Sequence, residues 1–199
     1  MKKYGRVVAG CLVVGLLLVW CGFEGHCAGI RQSMIRLHVL ANSDTAEDQA
    51  LKLKVRDALT TAGADLLKNV DTREAAEQKI QKALPRLKQA AEQCIKENGS
   101  AYTVSADLTD DYFTTRTYES GTFPAGRYKT LCIKIGEGKG KNWWCVMYPP
   151  LCVASATDKT SLSDTFTKEQ CGIIEEAPRY VVRLKVVEWV SAVIAFFDK

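Results

Sequence analysis

Apolar positions along this chain fall into stretches of different period. Residues 7–20 form an unbroken apolar run behind Lys2, Lys3 and Arg6. Residues 34–41 alternate instead, with Ile35, Leu37, Val39 and Ala41 on one face and Arg36, His38 and Leu40 on the other, which predicts a strand. Asn42-Ser43-Asp44 breaks the alternation. Asp44 followed by Glu47 predicts a helix N-cap, because a carboxylate there accepts backbone N–H groups that the first turn leaves unpaired. The helix is expected to run to about Lys68 on the stripe Leu51, Val55, Leu59, Ala62 and Leu66, with Gly63 as its weak point.

A second helix, starting near Asp71 to Glu74, buries Ala76, Ile80, Ala83, Leu87, Ala91 and Cys94 and stops at Asn98-Gly99-Ser100. Pro85 is expected to kink or divide it, since proline supplies no N–H and crowds the preceding turn. The short link between the helices predicts an antiparallel pair. From Tyr102 the period becomes two, predicting strands over 102–118, 127–136 and 142–148. Gly121–Gly126 reads as a turn and Gly136–Lys141 as the tip of a hairpin. The Ser, Thr and Asp-rich stretch 154–172 reads as a polar loop. From about Arg179 the chain is helical again, with Val186, Val190, Val193 and Phe197 on one face. The predicted fold is α+β: an antiparallel or mixed sheet of about four strands, packed against an N-terminal helix pair and a C-terminal helix and preceded by a signal or anchor helix. That divides the chain into residues 1–28 and a single domain over 29–199.

The N-terminal segment has the form of a secretory signal peptide, a basic start followed by an apolar core. A spanning helix wants about 20 apolar residues, so the run is short for an anchor. Cleavage after Cys27 places Gly25 and Cys27 at the two key positions; cleavage after Ala28 places His26 where a small residue belongs. An uncleaved anchor is the second reading, and it would leave the protein associated with a membrane. The string Val8-Ala9-Gly10-Cys11 mimics a lipoprotein box, but its apolar run follows it instead of preceding it. Export changes the remaining arithmetic. Loss of Lys2, Lys3, Arg6 and Glu24 lowers the net charge from +4 to +2, too little to point to nucleic acid. The mature chain keeps Cys94, Cys132, Cys145, Cys152 and Cys171, an odd number in an oxidising compartment.

Chemistry is thinly signalled. Gly136-Glu-Gly-Lys-Gly-Lys141 resembles a phosphate loop only superficially, because Asn142 and a strand follow where a hydroxyl residue and a helix are needed. His38 is the one histidine of the mature chain, and a triad around it would need an orienting carboxylate on one ring nitrogen and a nucleophile on the other. No paired-carboxylate spacing, metal-ligand spacing or C-x-x-C stands out. Neither a catalytic set nor a cofactor is expected. Cys145 and Cys152 flank Val-Met-Tyr-Pro-Pro-Leu, a spacing that permits a disulfide across a turn. Trp143 and Trp144 point to opposite faces of one strand, so one is core and the other exposed or covered by the C-terminal helix. The 42–44 corner can lie near only one end of that strand. The Gly136, Gly138, Lys139, Gly140 and Lys141 tip is the expected neighbour, and with it the expected contact for an acidic partner.

Two long stretches resemble the stage II sporulation protein R family. One is Ile35-Arg36-Leu-His38-Val-Leu-Ala-Asn42-Ser43-Asp44 with Glu47-Asp48-Gln49-Ala-Leu-Lys52-Leu-Lys54-Val-Arg56-Asp57. The other is Gly136 to Cys152, including Trp143 and Trp144. The resemblance implies a sporulation signalling protein exported into the space between forespore and mother cell. There it would be needed to activate a membrane-embedded aspartic protease, the GA protein of the same stage, which processes pro-sigma-E. It supplies no catalytic residues to transfer. An exported cell-envelope hydrolase using His38 with Asp44 or Asp48, and a structural envelope protein anchored by residues 7–23, are the alternatives.

Overall fold

The computed structural model describes residues 2–118, 120–151 and 162–197. In chain order the elements are α1 (Lys2–Gln32), β1 (Ile35–Leu40), α2 (Ala46–Leu67), α3 (Arg73–Glu97), β2 (Val104–Phe113), β3 (Arg116–Tyr118), β4 (Gly121–Phe123), β5 (Gly126–Ile135), β6 (Asn142–Tyr148), α4 (Leu162–Thr165), α5 (Lys168–Glu175) and α6 (Ala177–Phe197). The fold is α+β, and the chain divides into two compact units.

The larger unit holds residues 32–113 and 127–165 and is built on a four-stranded mixed sheet in the order β2-β5-β1-β6. β1 runs parallel to β5, with Leu37 opposite Leu131, and antiparallel to β6, with Leu37 opposite Cys145. Ile35, Leu37 and Val39 join Leu131, Ile133, Ile135 and Met147 in one core cluster with Val55 and Leu59 of α2 and Ile80, Leu87 and Ile95 of α3. The helix pair therefore covers one sheet face, as the alternation of β1 predicts. Both helices start at threonines: Thr45 Oγ1 accepts from Asp48 N at 3.3 Å, and Thr72 Oγ1 from Ala75 N at 3.2 Å. Gly63 lets α2 pack closely on β6, since a Cβ there would press on Met147 Cε at 2.6 Å. Met147 is the extra residue of a bulge, with Tyr148 opposite Ile35 and Val146 opposite Arg36.

The other unit holds residues 1–31, 114–126 and 166–199. In it β3 and β4 form a two-stranded antiparallel sheet, Arg116 opposite Phe123. α1 buries Phe23, Cys27 and Ile30 at helical spacing, Arg31 donates to Ala125 O at 3.0 Å, and Tyr180 of α6 stacks on Phe23 at 5.8 Å. Thr167 opens α5 with a reciprocal capping box to Gln170. One described helix segment, Gly10–Gln32, is long and apolar enough to cross a membrane.

Several expectations need correction. The cap of α2 is Thr45 and not Asp44, whose carboxylate is used elsewhere. Pro85 lies inside α3 and does not divide it. It sits on the exposed side, as does Gln81, whose carbonyl loses the proline partner. The alternating stretch 102–118 is two strands belonging to two sheets, and the expected turn over 121–126 contains β4. Residues 136–141 do not close a hairpin, because β1 lies between β5 and β6. The polar stretch 154–172 contains α4 and the start of α5, while residues 152–161 lie outside the described residues.

Candidate functional site

The segment joining β5 to β6 must cross the C-terminal end of β1, and there it meets the turn into α2. Four backbone N–H groups of the segment donate to that turn: Glu137 N to Asn42 Oδ1 at 3.0 Å, Lys139 N to Asn42 O at 3.1 Å, Gly140 N to Ala41 O at 3.0 Å, and Lys141 N to Asp44 Oδ1 at 2.6 Å. Two glycines permit the approach. Gly136 has φ +55° and faces Asn42, and a Cβ on Gly140 would overlap the Ser43 carbonyl. Thus the structure brings Asn42, Ser43 and Asp44 against the Gly136–Lys141 tip, and the corner engages the backbone N–H groups of Glu137, Lys139, Gly140 and Lys141. The Glu137 and Lys139 side chains remain exposed, paired with each other at 2.6 Å. An exposed pair of this kind adds little stability.

Beneath the crossing lies a polar network. Asp48 Oδ2 accepts from Asn42 Nδ2 at 2.8 Å and from Ser43 Oγ at 2.6 Å. These bonds, Ser43 first, hold the Asp48 carboxyl below its ordinary value. Gln49 Nε2 donates to Ser43 O at 2.9 Å. Lys52, only 4% exposed, donates to Gln49 Oε1 at 2.6 Å and to Lys141 O at 3.0 Å. Burial pushes the Lys52 ammonium below its ordinary value, and Asp44 pulls against that shift.

A second group occupies the sheet face opposite the helix pair. His38 is the register partner of Cys132 on β5 and of Trp144 on β6. Its ring stacks on Trp144 at 3.7 Å between centroids. His38 Nδ1 lies 3.1 Å from Asp111 Oδ2 of β2 and 3.9 Å from Cys132 Sγ. Thr109 Oγ1 donates to the other Asp111 oxygen at 3.0 Å. The hydrogen bond from His38 is the main reason the Asp111 carboxyl lies below its ordinary value. Burial, helped by Asp111 and Asp107, pushes the Cys132 thiol up to about 11. Carboxylate and thiol both face Nδ1, whereas a nucleophilic triad needs them on different ring nitrogens. Next to this row the fully buried Arg36 guanidinium lies 4.2 Å from the Phe113 ring and 5.0 Å from Tyr128.

The remaining motif residues scatter. Trp143 is half-buried on the helix side under the Arg56 guanidinium at 4.3 Å. Trp144, on the other face, is half-buried too. Arg56 also reaches Asp57, and Lys54 reaches Asn98 at the end of α3. Cys145 is buried, and Cys152 lies outside the described residues. Sequence reasoning missed Asp111 and Cys132 as neighbours of His38. The alternation of β2 places Thr109, Asp111 and Phe113 on the face opposite Val104 and Leu108, but not which strand lies beside them.

A family model described as stage II sporulation protein R (spore_II_R) matches residues 31–158. Stage II sporulation protein R of Bacillus subtilis (strain 168) is 35% identical over 146 residues, which covers 73% of this chain and 65% of that relative. The chain's match thus spans just under two thirds of the relative's length. No solved structure matches the chain.

Proposed function

The chain belongs to the stage II sporulation protein R family and so has a role in sporulation, and on that premise we propose that it is an exported signal that activates a membrane-embedded protease. The protease is the aspartic enzyme of the GA type that processes pro-sigma-E, and the signal acts from the space between forespore and mother cell. The observation that carries this reading is the family match, which begins at residue 31, where the apolar α1 ends. The segment ahead of the matched region has the character that export or anchoring requires.

The test uses cells carrying the protease and pro-sigma-E. Expression of this chain with its N-terminal segment should produce processed sigma-E, and exported chain without processing would refute the reading. Co-purification with the extracytoplasmic part of the protease distinguishes direct contact from an indirect signal. Lys139→Glu with Lys141→Glu should lower processing if the tip meets an acidic surface. Undiminished processing, with export unchanged, removes the tip from the interface.

A further inference from the structure

We propose that His38 Nδ1, the Asp111 carboxylate and the Cys132 thiolate form a binding site for Zn2+, independent of the activator reading. Three adjacent strands, β2, β5 and β1, each contribute one donor to the same sheet face. The donor atoms all lie within 4.8 Å of one another. A tetrahedral zinc ion with bonds of about 2.0–2.3 Å needs nitrogen–oxygen and nitrogen–sulfur separations of about 3.3 and 3.6 Å. The separations here are 3.1 Å for Nδ1 to Asp111 Oδ2 and 3.9 Å for Nδ1 to Cys132 Sγ, so small side-chain rotations bring both into range.

The ring that presents Nδ1 is held in place. Trp144 stacks on one side of it, and Phe113 stands edge-on at 6.5 Å. Thr109 orients the Asp111 carboxylate by holding its second oxygen, the outer-shell support that ligating carboxylates use. An imidazole with a thiolate selects a borderline-soft ion over Mg2+ or Ca2+. Binding releases the thiol proton and leaves His38 as the Nε2–H tautomer, so the three ligands supply two negative charges to the dication. Asp111 and Cys132 are only half-buried, which leaves the fourth position open to water or to a donor from another molecule.

The test is titration of the metal-free full chain with Zn2+ by calorimetry, with Co2+ as a spectroscopic probe for thiolate ligation. One equivalent of Zn2+ is expected, with a sulfur-to-cobalt charge-transfer band. Cys132→Ser and Asp111→Asn should each weaken Zn2+ binding about tenfold or more. Cys94→Ser, on α3, should leave it unchanged. Circular dichroism checks that each variant folds. If Cys132→Ser does not fold, Asp111→Asn decides alone, because its carboxylate is partly exposed. Absence of saturable Zn2+ uptake by the wild-type chain would overturn the site, as would uptake that survives both ligand substitutions.

Discussion

Asn42 and Asp48 are tied across the turn from β1 to α2, the Asn42 side-chain amide donating to the Asp48 carboxylate at 2.8 Å. The other end of the same amide accepts from Glu137 N at 3.0 Å. A single side chain thereby connects the start of α2 to the segment that crosses from β5 to β6. Loss of Asp48 strands the half-buried Asn42 amide and Ser43 hydroxyl, and loss of Asn42 takes one bond from the buried Asp48 carboxylate, so the corner behaves as a unit.

Asp48→Ala is therefore expected to destabilise the protein by about 1–3 kcal/mol, the usual cost of stranding buried hydrogen-bonding groups. Urea unfolding followed by circular dichroism measures it. A change below about 0.5 kcal/mol would mean that the corner is not a unit.

The acid side of the stability profile follows from the same carboxylate. Asp48 and Asp111 are both held below the ordinary aspartate value by hydrogen bonds, from Ser43 and Asn42 in one case and mainly from His38 in the other. A folded value below the unfolded one means stability that is present above about pH 4 and lost as pH falls through the lowered folded values. Asp48→Asn has no charge to lose there, so its acid unfolding curve should fall less steeply than that of the wild-type chain below pH 4. Parallel curves would contradict the assignment.

Gly140→Ala should cost about 1–3 kcal/mol, because the new methyl meets the Ser43 backbone carbonyl instead of a yielding side-chain end. Gly99→Ala offers the contrast: a Cβ there meets nothing within 4 Å, and only its φ of +76° opposes the change. Thermal unfolding of the two variants should therefore rank Gly140→Ala as the more damaging.

Cys145 and Cys152 are expected to be bridged in exported protein. Non-reducing peptide mass spectrometry should find the linked pair. Alkylation of both thiols in material collected outside the cytoplasm would refute the bridge.

Much of the fold was legible because its signals are local. The alternation of Ile35, Leu37 and Val39 and the helical stripes of Leu51, Val55, Leu59, Ala76, Ile80 and Leu87 each state which face is apolar, and burial follows that statement. Capping was legible less sharply. Asp44 and Thr45 both suit an N-cap, and the choice fell to Thr45 because Asp44 is claimed by Lys141 N, a residue 97 positions away.

By itself the sequence determined the long helices and strands, the apolar faces, the α+β class and the family, all of which rest on residues close together in the chain. Only the tertiary structure decided that β1 lies between β5 and β6. Backbone N–H and C=O groups are the same on every strand, so strand order is set by how the whole sheet packs beneath α2 and α3. That order turns an expected hairpin tip into a crossing over the Asn42 corner. It also sets Asp111, Cys132 and His38 in one row, a grouping whose three members are separated by up to 94 residues and carry no common spacing.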